Sequence, residues 1–406
     1  MNKYEHLDQF REKDEVDALI GDFFKSKITK REFISKAMVI GLSLSSIGAF
    51  LASVGAPEKV YAAPPSGKPA DITVGFFPSW IGGWSGVVVK HKKFWQNYIP
   101  KGSKVSWDVQ VVGPPIVTNL LADKNQIGYM GDTPAIVSST KRDIADLRMV
   151  SCNLFSRTGQ MCAIMMVHKS APKFKGFKDF IKWLDGKKIA ASGKGSCGDR
   201  LVTALLKKGH ITANVQFLSP TIVKTALMSK KVDAVQAFQP HVAQIEDKGI
   251  GRVAVTGSVF DSMDADFIVM RKDFIDANYE AAKGWVKADI EGGKFIMSNP
   301  YETVKFVGAE LPGFSTKSLW KAIYGAYDPK VGGQEENCII PTGFDKGVRD
   351  FIDFNFSFLK DKKTIIIDKL PDGAIYTKLV DEAVKEMGVK LPLGIIKGKP
   401  DSAYKG

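Results

Sequence analysis

From residue 71 onward, short apolar runs of strand length alternate with segments that have the periodicity of amphipathic helices. The first run, at 71–77, alternates apolar and polar residues as a half-buried strand does. The alternation continues through a first unit up to residue 168 and through a second unit from 169 to 258. We therefore predict an α/β protein with largely parallel sheets that carry helices on their faces.

The last third of the chain has a different pattern. After an isolated apolar run at 267–270, the segments have helical periodicity. The predicted helices cover residues 273–298, 300–311, 316–324, 344–359 and 376–387. Because such a section cannot form a sheet of its own, the chain is expected to return to the first unit. Two lobes joined by crossing strands near 165–169 and 259–268 are therefore predicted. Lobe 1 would comprise 63–168 and 259–406 with the helical section on it, and lobe 2 would comprise 169–258.

Residues 1–62 have the layout of an export signal. A basic segment precedes an apolar stretch at 37–54, and small or modest residues at 60–62 suit a signal peptidase. The segment 29–34 (TKREFI) resembles the twin-arginine motif with Lys30 in place of the first arginine, so the twin-arginine and general secretory routes both stay open. We predict cleavage after Ala62 and a periplasmic or extracytoplasmic location. The alternative is an uncleaved anchor, since the apolar stretch has about the shortest length that spans a bilayer.

The charge of the chain belongs to its exported part. The leader has nine Lys or Arg and nine Asp or Glu, so the net charge of +13 lies on residues 63–406. A basic protein suits an anionic solute or anionic surroundings, and equally an ordinary soluble surface. The lysines are scattered and no nucleic-acid motif accompanies them, so we expect no nucleic-acid partner.

The four cysteines, Cys152, Cys162, Cys197 and Cys338, all follow the leader. In an oxidising compartment they can pair. Cys152 and Cys162 lie on either side of a predicted hairpin turn and are placed to face each other, but four cysteines allow three pairings and the sequence does not choose among them. Free buried thiols are the alternative. Neither the cysteines nor the scattered histidines have metal-binding spacing, so no metal is expected.

Four loops follow predicted strands and should lie at the carboxyl ends of the sheets, where α/β proteins bind ligands. The residues expected to contact a ligand are Ser79, Trp80, Gly82, Trp84, Asp132, Thr133, Gly195, Ser196, Cys197, Gln236, Phe238 and Gln239. Glycines let backbone N–H groups approach an anion, and helix N-termini favour negative charge. The two tryptophans offer apolar walls or a cation-binding face, or else form a turn with one core tryptophan. Asp132 would instead favour an ammonium, and Asp199 would weaken the anion site by capping its own helix.

The same loops lack the motifs of known catalytic sites. Lys194 stands where a nucleophile elbow needs its first glycine. Asp199 and Arg200 stand where a phosphate-binding loop has Lys-Ser or Lys-Thr. Cys197 beside His241 is the one nucleophile–base pair to consider. We predict no catalytic residue, no cofactor and no enzymatic activity.

Taken in order, the loops resemble those of the solute-binding proteins of nitrate/sulfonate/taurine-type ABC transporters. The segments that carry the resemblance are 72–78 (ITVGFFP), 126–135 (QIGYMGDTPA), 187–192 (KKIAAS) and 231–241 (KVDAVQAFQPH). The resemblance spans residues 70–300 and implies a type II, two-lobe periplasmic-binding architecture that closes on its solute like a Venus flytrap. It implies ligand contact by the four loops and docking on a membrane permease.

The predicted function is that of a monomeric, extracytoplasmic solute-binding component of an ABC importer. The solute is expected to be a small anionic organic molecule, such as a sulfonate, or nitrate. An extracytoplasmic enzyme on the same fold, or a binding module that feeds a sensor, are the alternatives.

Overall fold

The structure is a computed structural model that describes residues 13–25, 27–28, 30–39, 67–260 and 262–406. The part of the leader that it describes forms two helices, and the rings of Phe23 and Phe33 bring them into contact. Most of the predicted apolar signal segment and the predicted cleavage site after Ala62 lie outside the described residues. Within the described ranges, no helix is both long enough and apolar enough to cross a membrane.

Strands and helices alternate from residue 71 to residue 271, as the periodicity predicts. The strands are β1 (Asp71–Phe76), β2 (Lys104–Val109), β3 (Ile127–Gly131), β4 (Leu147–Ser156), β5 (Ile164–His168), β6 (Lys188–Ser192), β7 (Asn214–Leu218), β8 (Ala234–Ala237), β9 (Gly251–Thr256), β10 (Asp264–Arg271), β11 (Glu336–Ile340) and β12 (Gly394–Lys397). The α-helices are α1 (Lys13–Phe24), α2 (Lys30–Val39), α3 (Trp84–Lys92), α4 (Gly113–Leu121), α5 (Asp132–Ser139), α6 (Phe177–Leu184), α7 (Cys197–Gly209), α8 (Pro220–Met228), α9 (His241–Asp247), α10 (Lys272–Ala277), α11 (Tyr279–Ser298), α12 (Pro300–Glu310), α13 (Thr316–Tyr324), α14 (Lys346–Asp361) and α15 (Lys378–Met387).

The strands form two sheets, each the centre of one lobe. Lobe 1 has the order β12–β11–β4–β10–β3–β1–β2, and lobe 2 has the order β7–β6–β8–β5–β9. The predicted α/β fold with two helix-flanked sheets is confirmed. The sheets are mixed, however, because β10 in lobe 1 and β5 in lobe 2 pair antiparallel with both of their neighbours. The chain reaches each of these two strands directly from the other lobe. Each strand then runs antiparallel to its neighbours in the sheet that it joins.

The crossing between lobes comes earlier in the chain than the sequence suggested. Strand β5, which the predicted boundary at residue 168 put in lobe 1, pairs with β8 and β9 in lobe 2. The chain therefore passes between the sheets at 157–163 and returns at 257–263, just before β10. Apart from this strand, the division into leader, lobe 1 and lobe 2 stays our proposal for the domain organisation.

The C-terminal section packs on lobe 1 and also extends its sheet. Strands β11 and β12, which the sequence analysis did not predict, form one edge of that sheet. Helix α11 approaches the rest of the lobe closely through two glycines. A Cβ atom at Gly284 would lie 2.2 Å from the Tyr98 carbonyl oxygen, and one at Gly292 would lie 2.8 Å from the Ser85 carbonyl oxygen. Side chains at these positions would push α11 away from the core.

Candidate functional site

The loop after β1 brings Trp80 to the surface where the two lobes meet, which we call the interlobe cleft. Trp80 is buried, and its indole Nε1 donates to Asp266 Oδ1 on β10 at 2.5 Å. Gly82 is needed beside it, because a Cβ atom there would lie 2.3 Å from the indole nitrogen. Across the cleft, the rings of Trp80 and of Phe238 in lobe 2 meet in a T-shaped arrangement, with ring centroids 5.7 Å apart. The loops after β1 and β8 therefore touch, as their positions at strand ends predict.

The other two predicted residues of this loop lie away from that contact. Trp84 is completely buried in the core of lobe 1 and donates its indole N–H to the Pro78 carbonyl oxygen at 2.9 Å. Trp84 is therefore the core tryptophan of a turn, which was the alternative interpretation of this loop. The Ser79 hydroxyl donates to the Val111 carbonyl oxygen at 3.2 Å and is partly exposed.

An ion pair joins the predicted helix N-terminus of lobe 1 to lobe 2. Helix α5 begins at Asp132, whose Oδ2 lies 3.0 Å from Arg200 Nη2 and whose Oδ1 lies 3.3 Å from Nη1. Asp132 is 3% exposed and Arg200 is 2% exposed. The Thr133 hydroxyl donates to Asp132 Oδ1 at 3.1 Å. Asp132 therefore belongs to the contact between the lobes, and Thr133 supports its carboxylate.

The sequence analysis missed Arg200 as a site residue. Its guanidinium also donates to Asn355 Oδ1 and to the Met263 carbonyl oxygen, both at 2.8 Å, and lies 3.6 Å from Asp264 Oδ1. It sits over the Phe351 ring, 5.1 Å from the centroid. One signal in the sequence could have indicated Arg200 as a site residue. It lies in the first turn of a helix that starts at a predicted ligand loop. The partners across the cleft could not be read from the sequence.

The loop before α7 uses its own polar groups to build the turn. Ser196 caps the helix, since its Oγ accepts from the Gly198 N–H at 3.1 Å. Asp199 Oδ2 accepts from the Gly195 N–H at 2.9 Å. Gly195 has a φ of +75° and faces lobe 1, where a Cβ atom on it would lie 3.1 Å from Thr364 Oγ1. The Gly195 amide, which was expected to bind an anion, is therefore already bonded to Asp199. Asp199 does not cap its own helix as the alternative had it, because Ser196 is the cap.

Cys162 and Cys197 form a disulfide, with Cα atoms 6.2 Å apart. The facing arrangement considered for Cys152 and Cys162 is not the pairing that forms, because β4 and β5 belong to different sheets. Cys152 and Cys338 are free and buried. The disulfide ties the first crossing segment to the start of α7, so Cys197 lies at the cleft as a structural link rather than as a free thiol.

Two glutamines, one in β8 and one just after it, support the cleft wall of lobe 2. Gln236 Oε1 accepts from the Ser192 N–H at 3.0 Å, and its Nε2 donates to the Cys162 carbonyl oxygen at 2.7 Å. The Gln239 side chain donates to the Tyr327 hydroxyl. Both glutamines are completely buried. Gln236 holds backbone groups of lobe 2, whereas Gln239 accepts from the Ala243 N–H and also bonds across the lobes to Tyr327 of lobe 1.

A shallow hollow lies beside Phe238 at the ends of β6 and β8. Its empty space is about 170 Å³, part of which is open solvent, and it is lined by Pro220, Val223, Phe238 and His241 together with the strand ends. Burial lowers the pKa of His241 to about 4, so its ring is neutral at physiological pH. Pockets for organic ligands usually enclose roughly 300–1,000 Å³. The hollow itself is therefore too small to hold an organic ligand.

Two buried carboxyl groups of β10 lie under the cleft. Burial raises the pKa of Asp264 to about 7, although Arg200 opposes the shift, and burial raises the pKa of Asp266 to about 7 as well. Asp264 Oδ2 accepts from the Cys162 and Ala163 N–H groups at 2.8 and 3.2 Å, which fixes the crossing segment. Among the described residues, no group of His, Cys, Asp and Glu is arranged to hold a metal ion.

Two helix-flanked sheets with ligand loops facing each other define the two-lobe periplasmic-binding architecture of type II, as predicted. The profile of the NMT1-like family matches residues 66–305, which is more than half of the chain. The protein therefore belongs to the NMT1-like family. No curated protein matches it by sequence.

Solved structures share the fold at low sequence identity. The periplasmic aliphatic sulphonate binding protein SsuA from Escherichia coli is 18% identical with a TM-score of 0.60, over 75% of this chain and 91% of its own. The periplasmic nitrate-binding protein NrtA from Synechocystis PCC 6803 is 15% identical with a TM-score of 0.62, over 80% of this chain and 90% of its own. A DszB mutant in complex with biphenyl-2-sulfinic acid is 12% identical with a TM-score of 0.56, over 78% of this chain and 99% of its own.

Proposed function

We propose that this protein is the extracytoplasmic solute-binding component of an ABC importer. It captures a small organic acid of the sulfonate type, or nitrate, in the interlobe cleft and delivers it to a membrane permease. The observation that carries the proposal is the meeting of ligand loops from both lobes in one cleft, seen in the Trp80–Phe238 ring contact and the Asp132–Arg200 ion pair. Membership of the NMT1-like family and the shared fold of the sulfonate- and nitrate-binding proteins support it.

Solute binding and lobe closure are coupled in this proposal. A solute that makes contacts with both lobes binds the closed form more tightly than the open form, and this difference drives closure. Trp80 and Phe238 enclose the organic part of the solute. Because the hollow beside Phe238 is small, an organic solute enters only when the lobes separate. The permease then recognises the closed shape.

Eight of the twelve predicted contact residues have one of two roles in this proposal. We assign solute contact to Trp80, Thr133, Ser196 and Phe238. A second group holds the loops in position. This group contains Gly82, Cys197, Gln236 and Gln239, whose side chains or tight packing serve the protein itself.

We propose that the protein works as a monomer outside the cytoplasm. The sulfonate- and nitrate-binding relatives are described as periplasmic, and the leader has the layout of an export signal. An enzyme on this fold remains a second candidate only through the similarity to the DszB mutant. The disulfide weakens it, since Cys197 is bonded to Cys162 and cannot serve His241 as a nucleophile.

Thermal-shift screening of the purified protein tests the proposal. The compounds are sulfonates, nitrate, aromatic acids and amines. A bound solute at about one hundred times its dissociation constant stabilises the folded protein by about 2.7 kcal/mol, so the melting temperature rises with one chemical class. Turnover of any of these compounds, or no shift with all of them, would contradict a binding function.

A further inference from the structure

Every hydrogen-bonding partner of the Arg200 guanidinium lies outside its own lobe. Arg200 is in the first turns of α7 in lobe 2. Its Nη atoms donate to Asp132 and Asn355 of lobe 1 and to the Met263 carbonyl oxygen in the returning crossing segment. Its Nε has no partner although it is buried. Separation of the lobes therefore removes its hydrogen bonds to Asp132 and Asn355.

Asp132, in contrast, does not depend on Arg200. Its carboxylate also accepts from three donors of lobe 1. These are Asn355 Nδ2 at 3.1 Å, the Thr133 hydroxyl at 3.1 Å and the Ala265 N–H at 3.4 Å. A carboxylate with several donors of its own stays solvated by the protein when one partner leaves. Asp132 can therefore release Arg200 at little cost.

Three other donors near the start of α7 are already engaged. The Gly195 and Gly198 N–H groups bond to side chains of their own loop. Lys362 Nζ, which reaches this region from lobe 1, is bonded to Asp199 Oδ1 at 3.2 Å and to Thr203 Oγ1 at 2.9 Å. Arg200, with one unpaired N–H and a partner that can be exchanged, is the donor best placed to receive an incoming acid.

We propose that Arg200 binds the acidic group of the solute, and that Asp132 occupies the place of that group on Arg200 in the empty, closed protein. This inference rests on the proposed function and names the binding residue of its site. The two Nη atoms meet the two Asp132 oxygens side by side. That fork matches an acid with two oxygens on one atom, such as a carboxylate or a sulfonate, and nitrate has the same geometry.

If the solute replaces Asp132 on Arg200, substitutions of these two residues should change acid binding in opposite directions. An ion pair that only joins the lobes does not predict this difference. If Asp132 competes with the solute, Asp132→Asn tightens acid binding severalfold, because a neutral amide is a weaker competitor and does not repel the acid. Arg200→Gln weakens acid binding by roughly tenfold or more, because the charged donors are lost. If the Asp132–Arg200 ion pair only holds the lobes together, both variants weaken acid binding by similar factors.

The experiment is calorimetric titration of both variants and the unchanged protein with sodium nitrate, methanesulfonate, benzenesulfonate and benzoate. Arg252→Gln is the matched control. Arg252 also donates to backbone carbonyls and sits over a phenylalanine ring, 5.3 Å from the centroid, but it does so within lobe 2. Its variant should bind like the unchanged protein. If Arg200→Gln does not fold, Arg200→Lys keeps a charge without the fork and should still lose affinity.

The results separate this inference from the proposed function. Weakening by Arg200→Gln together with tightening by Asp132→Asn supports the exchange. Unchanged acid affinity in Arg200→Gln overturns it, as does equal weakening in both variants. If the unchanged protein binds only uncharged or cationic solutes, the inference fails while the binding function stands. If it binds no small molecule at all, both fail.

Discussion

At the scale of single residues, the position of Trp80 depends on a carboxyl group that titrates near neutral pH. Asp266 accepts the Trp80 indole N–H, and the Asn153 side-chain amide lies within hydrogen-bonding reach of the same carboxyl group. Burial raises its pKa to about 7 in the folded protein. An aspartate in an unfolded chain has a pKa of about 3.9. The folded protein therefore keeps a proton over a pH range in which the unfolded chain has lost it.

We expect Asp266→Asn to reduce the pH dependence of stability. Because the folded pKa is raised, the stabilisation is complete below a pH of about 4 and is lost as the pH rises through about 7. One such group contributes a slope of at most about 1.4 kcal/mol per pH unit. Asparagine keeps an acceptor for Trp80 without titrating. Urea unfolding of both proteins across this range measures the difference, and parallel stability curves would contradict the assignment.

At the scale of elements, the start of α7 is held from several sides. Ser196 caps the helix, Asp199 closes the preceding turn, and the Cys162–Cys197 disulfide links it to the first crossing segment. The disulfide closes a loop whose ends are 35 residues apart in sequence. It thereby restrains the helix that carries Arg200 and the segment on which the lobes pivot.

We expect removal of the disulfide by Cys162→Ser together with Cys197→Ser to destabilise the protein. The closed loop of 35 residues predicts a loss of about 3–4 kcal/mol, chiefly because the unfolded chain gains freedom. Chemical denaturation of the double variant and of the unchanged protein after reduction should give matching losses. Cys152→Ser is the control, since that thiol is free. An unchanged denaturation midpoint after reduction would show that the link is not formed or not needed.

At the scale of the whole molecule, the C-terminal section holds both lobes. Gln244 Nε2 on lobe 2 donates to the Gly313 carbonyl oxygen at 3.0 Å, and the Ser315 hydroxyl donates to Asp247 Oδ2 at 2.8 Å. These contacts lie beside α9, whereas Arg200 meets α14 in the cleft. Contact between the lobes is therefore spread over more than one region, and the ring contact of Trp80 and Phe238 belongs to the cleft.

We expect Phe238→Ala to weaken solute binding without unfolding lobe 2. The ring packs against Trp80 across the cleft, so its removal takes away a wall of the site and a contact of the closed form. Aromatic pairs contribute about 0.5–1.5 kcal/mol beyond area burial, so a loss of roughly tenfold in affinity is expected. Calorimetric titration of the variant and of the unchanged protein with any solute found by thermal shift measures it. Unchanged affinity would place the solute elsewhere.

Local pattern predicted most of the elements because it depends on neighbouring residues alone. Helix α13 begins and ends where the periodicity places it, at residues 316 and 324. Strands β11 and β12 escaped prediction because they are short and have little alternation, and each gains its stability from the sheet edge that it joins. The loops at strand ends were predictable as a set, since α/β topology puts them on one side of each sheet.

The periodicity of the chain was enough to specify an α/β protein with two units and with ligand loops after particular strands, because each signal lies within a short segment. Contacts between distant segments required the folded molecule. The lobe that β5 joins, the bond between Cys162 and Cys197 and the meeting of Arg200 with Asp132 depend on how two sheets face each other. No local pattern encodes these distances, since they arise only when separate elements pack together.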